Sequence, residues 1–197
     1  MKQKIILAST SPFRKTLLQR LELPFEVAAP KCNEEELKKA FDGEPEKLCA
    51  FLAKHKAMSL AKFFEKALII GSDQSLYCEK KILGKGHNFD GALKQLKFCS
   101  GKTARLVTSV YIFDTNGEDV ETENITKLHF KNLSDEEITK YLKWDKPYKC
   151  AGSFKFESKG SFLFEKIECT DPSAIEGLPM VELARLLKEK GAILDFI

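Results

Sequence analysis

Residues 66–74, Lys-Ala-Leu-Ile-Ile-Gly-Ser-Asp-Gln, place a carboxylate and an amide directly after an apolar run. Leu68, Ile69 and Ile70 read as a buried strand, because no polar residue alternates with them. Such a strand needs cover on its faces, so the rest of the chain must supply helices. Gly71 and Ser72 are expected to turn the chain, leaving Asp73 held at the strand tip with Gln74 beside it. Ser and Asp also close strands for purely structural reasons, so the pair alone carries no function.

The chain does alternate helices with strands. Residues 4–8 read as a strand, Ser11 as an N-cap and Pro12 as the first residue of a helix. Residues 23–30 read as a second strand. Residues 45–64 form a long helix with Leu48, Phe51, Leu52, His55 and Ser59 on one side. After the strand at 67–71, residues 75–82 continue as a hairpin arm. Residues 88–102 form a helix closed by Gly101. Residues 104–114 and 120–132 are two strands joined at an Asn116-Gly117 turn. Ser134 and Glu137 are spaced as a capping box at the head of a helix. Residues 152–157 and 161–168 read as strands, and 178–191 as a final helix. The mixture, with hairpins present, predicts an α/β fold with a mixed sheet flanked by helices.

Composition narrows the function. The chain has 197 residues, 43% hydrophobic and 31% charged, as a folded soluble protein requires. Its 32 basic and 29 acidic side chains are interleaved, so no basic stripe for nucleic acid is expected. The apolar run Ile5–Ala8 is too short for a signal-peptide core, and no segment reaches the length of a membrane span. The six cysteines contain no Cys-x-x-Cys pair and no nearby histidine cluster, which argues against zinc. A reduced, cytoplasmic protein with free thiols is expected.

Four segments hold residues of chemical interest. Ser9, Thr10 and Ser11 link a strand to a helix whose first turn carries Arg14 and Lys15, a combination suited to phosphate; the same residues also make an ordinary capped helix. Lys56 borders the apolar stripe of its helix, where a lysine ordinarily snorkels. Lys85 lies between two glycines that permit close approach to an anion, or simply form a turn. Glu157 either ends a strand or accepts from the ring N–H groups of a base. Cys150 reads as a buried structural thiol.

The order of these fragments is more specific than any one of them. "LASTSPFRKTLL", "NEEE", "KHKA", "GSDQ", "ILGKG", "CSGK", "LSDEEI", "CAGSF" and "GLP" together resemble the Maf family of nucleotide pyrophosphatases, over nearly the whole chain. Phe13, Gln74 and Glu157 match the branch acting on 7-methyl-GTP. The resemblance implies a Maf/ITPase-like fold, a single domain over residues 1–197 with two lobes around a central cleft. It implies Asp73 as proton acceptor and Ser9, Arg14, Lys56 and Lys85 as phosphate-binding residues. Phe13, Gln74 and Glu157 would select the base. Glu34 and Asp73 would hold a divalent cation, Mg²⁺ or Mn²⁺. A nucleotide substrate and a homodimer are also implied. Relatives acting on dTTP or UTP, and a non-catalytic role linked to septum formation, are the alternatives. Three positions depart from the pattern: Lys15 replaces an arginine, Asn33 an aspartate and Gly86 a proline.

Overall fold

The computed structural model describes residues 3–193. They divide into two compact units, one of residues 3–73, 108–124 and 171–193, the other of residues 74–107 and 125–170.

The first unit is built on β1 (Lys4–Ala8), β2 (Phe25–Ala28) and the first part of β3 (Ala67–Cys78). β1 lies between the other two and parallel to both, with Leu7 opposite Ile70 and Ala8 opposite Ala28 and Gly71. Side chains alternate across the strands. Ile5, Leu7, Leu68 and Ile70 face one way, packing with Leu17 and Leu18 of α1 (Pro12–Gln19). Leu183, Leu186 and Leu187 of the C-terminal helix Met180–Glu189 complete that layer. Ile6, Ala8, Ala67 and Ile69 face the other way, against Ala53, Ala57 and Leu60. Cover on both faces explains why Leu68–Ile70 has no polar alternation.

β3 corrects one expectation. Gly71 and Ser72 do not turn the chain; the strand runs for 12 residues, and Asp73 lies within it rather than at its tip. A Cβ on Gly71 would come 2.1 Å from the carbonyl oxygen of Ala53. Gly71 therefore serves close packing of helix on strand, which the sequence presents identically to a turn glycine.

The helix expected over 45–64 is three pieces: a 3₁₀ turn at Pro45–Lys47, an α-helix at Leu48–Met58 and a second 3₁₀ turn at Ala61–Phe63. Before it comes α2 (Glu34–Ala40), where the sequence suggested no element. The Asn33 side chain caps α2 by accepting from the N–H groups of Glu35 and Glu36. Glutamates in its first turn and lysines in its last suit the helix dipole. None of its residues is buried, so no apolar stripe announced it. With α2 in place, the helix Leu48–Met58 is α3.

In the second unit, β4 (Lys81–Leu83) folds back on β3, with Leu76 opposite Leu83. α4 (Phe89–Cys99) is capped by Asn88, and Gly101 follows it at φ 69°. β5 (Thr103–Asp114) and β6 (Val120–Phe130) come next, then α5 (Asp135–Asp145), which carries the expected capping box. β7 (Phe164–Glu168) pairs antiparallel with β6; the helix Met180–Glu189 of the first unit is α6. The strand order is β2-β1-β3-β5-β6-β7, with β4 on β3, a mixed sheet as expected.

Three local expectations fail in whole or in part. Residues 152–157 are not a strand: Ala151 makes an isolated bridge to Lys85, after which the chain turns. Gly152 and Ser153 adopt φ values of 66° and 58°, in a left-handed region outside strand geometry. The second predicted strand begins only at Phe164, after a 3₁₀ turn at Gly160–Leu163. The β5–β6 connection is not a tight Asn-Gly turn, since neither residue has the positive φ such a turn needs. Its carboxylates hold a longer loop: Asp114 N–H donates to Asp119 Oδ1 at 2.9 Å, and Asn116 N–H to Asp114 Oδ1 at 3.0 Å.

Candidate active site

Close packing of α3 on β3 brings Lys56 over Asp73. Gly71 and Asp73 are two residues apart on one strand and point to the same face. Lys56 Nζ donates to Asp73 Oδ1 at 2.5 Å, and both residues are 7% exposed. The same nitrogen is 2.8 Å from Glu34 Oε2, at the start of α2. One ammonium thus joins two carboxylates from different elements. Burial alone pushes the Glu34 carboxyl up, but the Lys56 charge and the bond from Lys38 outweigh it and hold it at about 2. An apolar core at such a place is often as stable or more stable, by ~1–4 kcal/mol. Buried charge here is therefore better explained by chemistry than by folding. Lys56 does not snorkel.

Arg14 joins this group electrostatically. Burial lowers its guanidinium from the usual value, while Asp73 and Glu34 pull it back. Its Nε donates to the Gly177 carbonyl oxygen at 3.1 Å, and Ser72 Oγ donates to the same oxygen at 3.2 Å. The "GLP" turn thus anchors Arg14 and, through Ser72, the residue before Asp73. Asp171 shapes that turn, accepting from Ser173 N–H at 3.1 Å and from Val181 N–H at 2.8 Å.

Ser9 is buried and structural as well as polar. Its Oγ accepts from Ser11 N–H at 3.1 Å, and Ser11 Oγ accepts from Arg14 N–H at 3.4 Å. Pro12 has no N–H. The loop therefore commits backbone donors that the sequence suggested were available to an anion. Phe13 is 36% exposed, next to this loop.

The second unit carries the remaining candidates. Gln74 follows Asp73 on β3 and is half-buried, while Lys85 and Glu157 are exposed. The Lys85 loop is held in place: Gly152 N–H donates to Gly84 O at 3.0 Å, and His87 N–H to Tyr148 O at 2.8 Å. A Cβ on Gly86, where the family pattern has proline, would come 2.4 Å from Ser153 Oγ. Glu157 lies on a turn instead of a strand end. Cys150 is half-buried, and burial pushes its thiol up to about 11, which suits a structural role.

Comparison with known proteins matches the family described as Maf-like protein to residues 4–190. The chain belongs to the Maf family. A protein of Colwellia psychrerythraea named 7-methyl-GTP pyrophosphatase is 44% identical over 190 residues, covering 95% of this chain and 92% of that one. A protein of the same name from Pseudoalteromonas translucida is 42% identical, covering 97% and 94%. Among solved structures, the Ham1 protein of Staphylococcus aureus matches with a TM-score of 0.52 at 16% identity, covering 95% of this chain and 100% of that one. A HAM1 protein from Coxiella burnetii matches at 0.51 and 15%, covering 95% and 99%. At such identities these two report a shared fold.

In this Maf chain the structure brings together Arg14, Glu34, Lys56 and Asp73. Gly71, Ser72, Asp171 and Gly177 support them, and none stood out as such in the sequence. The signal for Gly177 was there, in the "GLP" fragment, but its role as a carbonyl anchor lies in the backbone and has no side-chain signature.

Proposed function

We propose that this chain hydrolyses 7-methyl-GTP between its α- and β-phosphates, giving 7-methyl-GMP and pyrophosphate. One observation carries the reading: Lys56 buried between Asp73 and Glu34, in a chain whose near-full-length relatives bear the name of that activity. Water attacks the α-phosphorus, and Asp73 accepts its proton. A new O–P bond forms, the bond to the bridging oxygen breaks, and its electron pair leaves on pyrophosphate. Arg14, Lys56 and Lys85 meet the triphosphate charge, with Ser9 as a hydroxyl donor. Phe13 stacks on the cationic methylated ring with a cation–π contribution. Glu157 accepts from the ring N–H groups, and Gln74 supplies a donor and an acceptor.

Glu34 and Asp73 also suit a hard divalent cation, Mg²⁺ or Mn²⁺. Both offer only oxygen and both reach one nitrogen. Among the described residues no group of three or more His, Cys, Asp or Glu is placed to hold a metal ion. Two carboxylates fit a cation that keeps several waters and takes further ligands from phosphate. Bound there, the cation would neutralise charge on the triphosphate.

Among the described residues no helix is long and apolar enough to cross a membrane. We place the enzyme in the cytoplasm on its free cysteines, and as a homodimer on the family resemblance. The deciding experiment incubates the protein with 7-methyl-GTP, GTP, dTTP and UTP, and identifies the monophosphate and pyrophosphate released. Preferred turnover of 7-methyl-GTP is expected. Preference for dTTP or UTP would move the protein to the pyrimidine branch, and no product from any of them would leave a nucleotide-binding protein without catalysis.

A further inference from the structure

Asp145 is the last residue of α5, where the negative end of the helix dipole disfavours an acid. It is also only 7% exposed, so its charge is removed from water. What compensates it is a single turn of the chain, residues 155–160. Asp145 Oδ1 accepts from Ser158 Oγ at 2.6 Å, and Oδ2 accepts from Lys159 N–H at 3.3 Å. The Asp145 carbonyl oxygen accepts from Lys155 Nζ at 2.8 Å. Tyr141, one turn earlier on α5, accepts from Lys155 N–H at 3.0 Å, and burial together with the nearby Asp145 charge pushes its phenol up. The turn closes on itself through Gly160 N–H to Lys155 O at 2.8 Å. A Cβ on Gly160 would meet that same oxygen at 2.4 Å, so the closure needs glycine. From outside, Lys159 Nζ lies 4.3 Å from the ring centroid of Trp144.

Glu157 is the exposed residue between these anchors. We infer that Asp145, with Tyr141, is a positioning residue that holds the Glu157 turn in its base-reading conformation. The inference rests on the proposed role of Glu157. It gives a buried acid at an unfavourable helix position a purpose that packing alone does not: both flanks of one turn are tied to the same helix end. A carboxylate meant to discriminate between bases gains from such pre-organisation, since less freedom is lost on binding.

The test measures kcat and KM for 7-methyl-GTP and dTTP in the wild type, Glu157→Gln, Asp145→Asn, Ser158→Ala and the Asp145→Asn/Glu157→Gln double variant. Asp145→Asn is expected to reduce the kcat/KM preference for 7-methyl-GTP by about tenfold, chiefly through KM. Ser158→Ala, which removes one bond and leaves the acid in place, should reduce it in the same direction. The double variant should lose no more selectivity than Glu157→Gln alone. A purely structural Asp145 would lower thermal stability and the rates on both substrates alike, and that result overturns the inference. If Glu157→Gln reduces the preference while Asp145→Asn and Ser158→Ala leave it intact, the inference fails and the role of Glu157 stands. If Glu157→Gln itself changes nothing, both fall.

Discussion

Lys56 Nζ lies 2.5 Å from Asp73 Oδ1, with both residues buried and with Glu34 on the same nitrogen. A lysine so placed does two things. It holds two carboxylates together through its own charge, and in the proposed reaction it would supply positive charge where the triphosphate meets Asp73. Three expectations follow from this arrangement and its supports, and a fourth tests the fold elsewhere.

Asp73→Asn keeps the shape of the side chain but removes the carboxylate proposed as proton acceptor. Turnover should fall by about 10²–10⁴-fold, with nucleotide binding by calorimetry still measurable. A variant with near-normal kcat would show that another group takes the proton.

Lys56→Met leaves Asp73 and Glu34 without their shared ammonium. Breaking a buried pair in this way costs about 3–5 kcal/mol, read by urea denaturation in the presence of a chelator. Added Mn²⁺ should raise the melting temperature of the variant more than that of the wild type, because the two carboxylates are then open to it. Equal response in the two proteins would argue against Glu34 and Asp73 as metal ligands.

Gly71→Ala puts a methyl group against the Ala53 carbonyl and the Ala57 N–H, at 2.1 and 2.8 Å. α3 must move away from β3, which loosens the contact between Lys56 and Asp73. Stability should drop by about 1–3 kcal/mol, as for overpacked cores generally. Activity should fall although no reacting group has changed. A fully active, equally stable variant would mean that the helix is not seated by Gly71.

Asp114 supplies a pH test of the fold away from the site. Burial pushes its carboxyl up, but bonds from Asn116 N–H and Gln3, together with Lys190, hold it below its usual value of 3.8. The folded value therefore lies below the unfolded one. Its contribution is present above about pH 4 and lost as pH falls through the lowered folded value. Asp114→Asn should flatten the acid side of the stability profile in that range, as followed by urea midpoints. An unchanged profile would mean that the carboxylate is not held by these partners.

Much of this protein was legible as periodicity and caps. β1, α1, α6 and the capping box of α5 follow from local patterns, and so did the mixed α/β class. α2 was not, because it buries none of its side chains and rests on a cap and dipole-matched charges. The strand predicted over 152–157 failed for the opposite reason. Its apolar residues suggested extension, while Gly152 and Ser153 take left-handed backbone angles that bring Ser153 Oγ to Gln95 at 2.6 Å.

For the site, the chain order of motifs was enough to name Arg14, Glu34, Lys56 and Asp73, because a family pattern is written in side-chain types. Their arrangement was not. Whether Lys56 snorkels or pairs depends on how closely α3 lies on β3, and that is decided by a missing Cβ at Gly71 against a backbone oxygen of another element. Likewise, the acid at Asp145 looks misplaced on its own helix until the turn it holds is seen. Side-chain identity and local spacing are properties of the linear chain. Burial and the partner of a charge depend on residues far apart in sequence, and only packing brings those together.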